Sequence, residues 1–193
     1  MGNITGNQDL PRFISFASGA LSFGDNDQKA GWDRDIEVKD TVGYGRLASL
    51  MAFNMTIPGI PVIYYGDEFG MPGAGDPDNR RMMRFENLTP QEKSLKATVA
   101  KLTHLSSSSM PLLYGDFKAL ETSDKTYVYM RTYFDKVVIV IFNKDKESSK
   151  IDFDIPERFN EIKLVNHFGS DAKQEKGKVT VNLRGNAFEI LTN

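Results

Sequence analysis

The sequence predicts two fold classes in one chain, an α/β segment followed by an all-β module, and two observations carry that expectation. The stretch Pro58-Gly-Ile-Pro-Val-Ile-Tyr-Tyr-Gly-Asp-Glu68 reads as a strand that empties into a polar, glycine-rich loop, and Ile60 to Tyr65 is almost continuously apolar. A strand apolar on both alternating faces belongs in a parallel sheet covered on both sides. The second observation is a change of hydrophobic period. Apolar residues recur at helical spacing up to a serine run at Ser106 to Ser109 and then alternate, most clearly from Thr126 to Phe134. The expected modules are therefore 1–109 and 110–193.

Taken in order, residues 13 to 41 are mixed, with turn signals in Phe16-Ala-Ser-Gly19 and Phe23-Gly-Asp-Asn-Asp27. The first clear helix is Val42 to Met55, where Leu47, Leu50, Met51 and Asn54 share a face and Pro58-Gly59 closes the segment. The apolar strand follows, then a long loop from Gly66 to Asn87. Thr89-Pro-Gln-Glu92 is a capping box with proline at the first helical position, and it predicts a helix to about Leu105 with Leu95, Val99 and Leu102 on one face. Beyond the serines, Thr126–Phe134 and Val137–Phe142 form a hairpin about Asp135-Lys136. Shorter strands are expected at Lys150–Asp154, Ile162–Val165, Lys178–Leu183 and Ala187–Leu191. That pattern predicts an antiparallel Greek-key β-sandwich of about seven or eight strands.

Composition narrows the partners. The net charge of -2 gives no footprint for nucleic acid or for an acidic membrane surface. No apolar run is long enough to span a membrane, and the Met1-Gly2 start is not a signal peptide. There is no cysteine, so disulfides and thiol chemistry are excluded while the compartment stays open; a periplasmic or extracellular parent is compatible with it. His104 and His167 lie far apart without a ligand-spaced carboxylate cluster, so no metal or other cofactor is expected.

The polar residues gather where α/β folds place their sites. Asp67 and Glu68 stand at the C-terminal mouth of the apolar strand, and Asp76-Pro-Asp-Asn-Arg80 continues the same loop. Upstream, Gly6-Asn-Gln-Asp9 follows a short apolar start, Ile4-Thr5, and precedes Leu10-Pro-Arg12. Alone, such a string is a turn or a helix cap. Together, Asn7-Gln8-Asp9, Gly59-Ile-Pro-Val-Ile-Tyr-Tyr-Gly-Asp-Glu68 and Asp76-Pro-Asp-Asn-Arg80 resemble the last two conserved regions and the following sugar-binding loop of the α-amylase superfamily, glycoside hydrolase family 13. The style is similar to the neopullulanase and cyclomaltodextrinase branch, and the resemblance covers the whole chain but only the C-terminal part of such an enzyme.

The resemblance implies the last two β/α units of a (β/α)8 barrel, incomplete here, followed by the β-sandwich domain, and an α-glucan oligosaccharide as partner. It implies that Asp9 is the third carboxylate of the site, gripping sugar hydroxyls where cleavage occurs. Bonds to the 2-OH strengthen as the ring flattens toward an oxocarbenium ion. Asn7 and Gln8 would touch the same sugar. Gln8 departs from the family's histidine; its amide still donates a hydrogen bond but carries no charge. Asp76 and Arg80 would hold more distant sugars, with an internal loop ion pair as the alternative. Arg12 is expected to pair near Asp9, and Asp67 and Glu68 to tie the loop to its neighbours. The nucleophile and the general acid, about 5 Å apart in a retaining enzyme, would lie outside the chain. The isolated chain would then be inactive and would self-associate through uncovered strands.

Two other readings compete. Gly43-Tyr-Gly45-Arg-Leu-Ala48 opens a helix as a dinucleotide-binding fingerprint does, but Asp35-Ile-Glu-Val-Lys-Asp40 alternates with charge where that unit needs a buried strand. A non-catalytic carbohydrate-binding module would display an exposed aromatic row, for which Tyr127, Tyr129 and Tyr133 are the candidates. Trp32 reads as a packed loop aromatic, with a single exposed sugar platform as the alternative.

Overall fold

In a computed structural model, which describes residues 2–193, the apolar stretches at Ile4 and Ile60 pair as parallel strands β1 (Gly2–Ile4) and β2 (Ile60–Val62). Parallel strands need a long crossover, and this one holds helices α1 (Phe13–Ala17), α2 (Asp27–Asp33) and α3 (Val42–Thr56). Helix α3 buries Leu47, Met51, Ala52 and Met55. Its Asn54 stitches the crossover to both strands: the side chain donates to the Val62 carbonyl at 3.2 Å, and Asn3 donates to the Asn54 carbonyl at 3.3 Å. Strand β2 is shorter than the apolar run suggested. Among the described residues its strand partner is three residues long, so Ile63–Tyr65 lie beyond the ladder, and Ile60 is 67% exposed instead of covered on both faces. The region expected to be loop-rich holds α1 and α2 as well. Asn26 caps α2 by accepting from the Lys29 amide at 3.0 Å.

Helix α4 (Pro90–Ser108) starts at the capping box. The Thr89 amide donates to a Glu92 carboxylate oxygen at 2.8 Å, and the Glu92 amide donates to the Thr89 hydroxyl at 3.3 Å. Leu95, Val99 and Leu102 form its buried stripe. The serine run does not break it; three of those serines finish α4, and Ser109 precedes the short helix α5 (Met110–Tyr114).

The chain divides into two compact units, one running up to Met55 together with Gly59–His104, the other Thr56–Pro58 with Leu105–Asn193. In the second unit β3 (Asp116–Thr122), β4 (Thr126–Tyr133), β5 (Lys136–Asn143), β10 (Ala187–Thr192) and β7 (Val165–Asn166) form one sheet in that spatial order. Strands β6 (Ser149–Asp154), β9 (Lys178–Leu183) and β8 (Asp171–Glu175) form the other. The two enclose one core, with Val128, Met130, Ile139, Ile141 and Leu191 from the first sheet and Ile151, Phe153, Val179, Val181 and Leu183 from the second. The β4–β5 loop is the two residues Phe134-Asp135, one position earlier than the sequence pattern placed it. Strand β7 covers only Val165–Asn166; Ile162 and Leu164 pack on the core from irregular backbone. Helix α5 packs on β4 and β5. Tyr129 is fully buried on the outer face of β4, with Tyr127 and Tyr133 half-buried, so that row is no open aromatic platform.

Three buried polar side chains anchor this unit. Arg131 donates to the carbonyls of Thr56, Leu112 and Gly115. Asn143 donates to those of Glu147, Leu183 and Arg184. Glu189, fully buried, accepts from the backbone amides of His167, Phe168, Ser170 and Ile190 at 2.7–3.0 Å. Glu189→Gln keeps the shape but turns an amide nitrogen toward a backbone donor. It should destabilise the unit by about 1–3 kcal/mol, read as a lower urea midpoint with an unchanged slope.

Candidate functional site

Because β1 and β2 run parallel, the loops that follow them leave from the same end. The first loop carries Asn7, Gln8 and Asp9; the second carries Asp67, Glu68 and the segment Asp76–Arg80, whose last three residues form a 3-10 turn. The structure brings most of the predicted site residues together here. Arg80 lies between two carboxylates, with Nη2 3.2 Å from Asp76 and 3.8 Å from Asp9, while its Nε donates to the Gln8 carbonyl at 3.0 Å. The Asn7 side chain accepts from the Asp9 amide at 2.8 Å and so shapes the turn, and the Gln8 amide donates to Asp9 at 3.0 Å. The Asp9 carboxylate is 69% exposed, so it is open to a ligand from solution.

Beneath this exposed layer lies a buried one. Arg12 is 1% exposed. Its Nη1 donates to the Tyr65 carbonyl at 2.6 Å and to Asp67 at 2.9 Å, and its Nε donates to the Asn79 carbonyl at 2.9 Å. The rings of Tyr64 and Tyr65 lie 4.1 and 4.8 Å from the guanidinium carbon. Arg12 thus pairs with Asp67, and the ion pair to Asp9 is made by Arg80. Glu68 is half-buried beside this layer, and its charge helps raise the Asp67 pKa. Gly6 lets the layers meet: a Cβ there would sit 2.6 Å from the Asp67 carboxylate. Burial pushes the Asp67 carboxyl up to about 6, against the opposing pull of Arg12.

Sequence reasoning passed over Asn79. It is fully buried and donates from one amide nitrogen to the carbonyls of Gln8 at 2.8 Å and Leu10 at 2.9 Å, on either side of Asp9. The only signal was its place inside the Asp76–Arg80 string. Asp78 is also structural, accepting from the Ala74 amide at 2.7 Å and from Arg81. Trp32 is 75% exposed on α2 instead of packed in a loop. A separate cleft of about 380 Å³ includes Glu37, Tyr44, Met71, Arg81, Arg84 and Glu92; Arg84 pairs with Glu92 across it, and Arg81 lies 3.9 Å from Glu37 and also pairs with Asp78, which does not line the cleft. Among the described residues no group of three or more His, Cys, Asp and Glu is placed to hold a metal ion. No described helix is long and apolar enough to cross a membrane.

Residues 122–184 match the cyclo-malto-dextrinase C-terminal domain family. A cyclomaltodextrinase of Thermoanaerobacter pseudethanolicus is 31% identical over 78% of this chain and 22% of its own length. Neopullulanase 2 of Thermoactinomyces vulgaris is 33% identical over 77% of this chain and 25% of its own. The chain is similar to the C-terminal part of α-amylase-superfamily enzymes. It spans about a quarter of the length of these two relatives. The crystal structure of an Anoxybacillus α-amylase superposes on 99% of the chain and 37% of its own with a TM-score of 0.74 at 26% identity. In the α-amylase-like frame, the motifs quoted from the sequence are those that the two parallel strands deliver to one end.

The Asp67 shift has a signed consequence. The folded state holds this proton more tightly than the unfolded chain, so the group's stabilising contribution is complete below about pH 4 and is lost as pH rises through about 6. The loss amounts to at most about 3 kcal/mol. Asp67→Asn should flatten that part of the stability–pH curve, measured by urea unfolding between pH 4 and 7. A variant curve parallel to wild type would mean that Asp67 does not titrate there.

Proposed function

We propose that the chain supplies the C-terminal part of a retaining α-glucan hydrolase: the last two β/α units of a (β/α)8 barrel, within residues 1–109, and a Greek-key β-sandwich domain at 110–193. The observation that carries the reading is that the loops bearing Asp9, Asp76 and Arg80 meet at the C-terminal ends of two parallel strands with the Asp9 carboxylate exposed, while the Asp76–Arg80 ion pair itself matches the alternative given for those two residues. Such mouths are where α/β folds bind ligands. The names of the similar enzymes point to cyclodextrins, pullulan and related α-glucans as the substrate class.

In this reading Asp9 accepts hydrogen bonds from hydroxyls of the sugar being cleaved, and the bonds strengthen as the ring gains positive charge. Asn7 shapes the turn that presents Asp9, and Gln8 donates from its uncharged amide. Arg80 and Asp76 form a donor–acceptor pair for sugars further from the cleavage point. Arg12 and Asp67 do not touch the ligand; they hold the floor. The nucleophile and the general acid come from outside these 193 residues. The competing readings gain nothing specific. The close approach of Gly43 to Ser18 accounts for that glycine by packing, and residues 35–40 form no strand.

The test begins with two proteins. The isolated chain should release no reducing sugar from starch, maltooligosaccharides or cyclodextrins, and the full-length protein that carries it should. Turnover by the purified chain that disappears on mutation of Asp9 would overturn the division of labour. In the full-length protein Asp9→Ala should lower kcat on the order of 10²-fold or more with a smaller change in KM. Arg80→Ala should instead raise KM for longer substrates about tenfold, ~1.4 kcal/mol. The isolated chain also leaves Ile4, Ile60 and Val62 exposed beside unpaired strand edges. It should therefore self-associate, and light scattering across a dilution series should show mass rising with concentration. A monodisperse monomer at every concentration would show that these edges need no cover.

A further inference from the structure

We propose that Asn79 is a positioning residue for Asp9, an inference that rests on the α-glucan hydrolase reading and adds a group that never meets the sugar. Its amide nitrogen has two hydrogens, and both are used on one short loop, one on the carbonyl before Asp9 and one on the carbonyl after it. Asp9 is thereby held at both flanks by a single side chain while its own carboxylate stays free of the protein interior. The Gln8 carbonyl takes a second donor, Arg80 Nε. The Asn79 backbone is itself held, because its carbonyl accepts from the buried Arg12.

The orientation of the amide is fixed by its donor side. Asn79 Oδ1 is buried and finds no donor, whereas Nδ2 finds two acceptors; turning the amide over would face two carbonyls with an oxygen. A buried acceptor left without a partner costs free energy. It persists here because the same side chain secures two carbonyls of the turn, adding to the Asn7 contact within the turn and the Arg80 contact on the Gln8 carbonyl. An asparagine inside a loop ordinarily bonds its own neighbours. This one reaches across to a loop some seventy residues away in sequence.

The geometry also explains why the sugar-binding segment and the Asp9 loop are covalently distant but act together. Asp76, Asn79 and Arg80 lie on one short stretch; Asp76 and Arg80 face out and Asn79 faces in. A shift of that stretch moves the outer sugar contacts and the Asp9 support at the same time. Misplacing a contact group by about 1 Å can cost on the order of 10²-fold in rate.

The experiment is a double-mutant cycle in the full-length protein, with 4-nitrophenyl α-maltotrioside as the substrate so that weak variants remain measurable. Asn79→Ala should lower kcat by about tenfold to a hundredfold with KM within about threefold. In the Asp9→Ala background it should lower kcat by less than about twofold, because a group that acts through Asp9 has nothing left to position. Asn79→Asp, which matches the native size, should show the same loss at neutral pH. Part of its kcat should return as pH falls and its carboxyl regains a hydrogen to donate. If Asn79→Ala costs as much without Asp9 as with it, the residue merely supports the fold and the proposal is overturned. Failure of both Asn79 variants to fold would overturn it in the same way. If wild type and Asp9→Ala have equal activity, or wild type has none, the underlying hydrolase reading has failed and Asn79 is not the cause.

Discussion

The candidate site is organised around one buried cation. Arg12 gathers the end of the first loop, the carbonyl of Tyr65, the carboxylate of Asp67 and the carbonyl of Asn79, and it is stacked against two tyrosine rings. A guanidinium suits this task because its donors are fixed in one plane and stay charged when buried, where a lysine would offer a single flexible point. The charge must be compensated in place, since removing one partner of a buried pair leaves the other uncompensated. Asp67 supplies that compensation under conditions that push its own proton affinity upward. Everything exposed in the site, from Asn7 to Arg80, stands on segments this one side chain holds together.

In the proposed reading, the two layers separate support from recognition. The outer residues Asp9, Asp76 and Arg80 are polar and exposed, and among the described residues they pair with one another and with the Gln8 loop. The inner residues Arg12, Asp67 and Asn79 are sequestered and largely committed to backbone carbonyls. Under the proposed function, such an arrangement would let hydroxyl-rich ligands exchange with solvent at the outer layer without disturbing the inner one. It also meets the requirement that contact groups be preorganised by the shell behind them.

What the sequence disclosed follows from where each signal is local. The capping box, the α3 stripe, the β4–β5 hairpin and strand β9 are all written in contiguous residues, and they appear close to where the periodicity places them. Strands β3 and β8 escaped because edge strands of charged and polar residues show little apolar alternation. The short extent of β2 escaped because an apolar run records what a strand is suited to, not how many neighbours it has. In the site, Asp9, Asp76 and Arg80 were legible as motif residues. The partner of Arg12 was not, since Asp9 and Asp67 are equally available on paper and only the fold decides between them. Asn79 was hidden by its type, because asparagine in a glycine-rich loop is explained by the turn alone.

The five-stranded sheet is buried on both faces along β4 and β5: Val128 and Ile139 point into the sandwich core, while Tyr129 and Val140 are equally buried on the other side. Hydrophobicity therefore cannot tell these strands which way up they are, since a slip by one residue would exchange one apolar set for another. The information that separates the native pairing from its slipped neighbours sits in the few polar side chains that fit on one side only. Arg131 finds its three carbonyls on the outer face, and Asn143 and Glu189 find theirs and their backbone amides on the inner face. In this domain the oily residues supply cohesion, and three charged or amide groups supply the address.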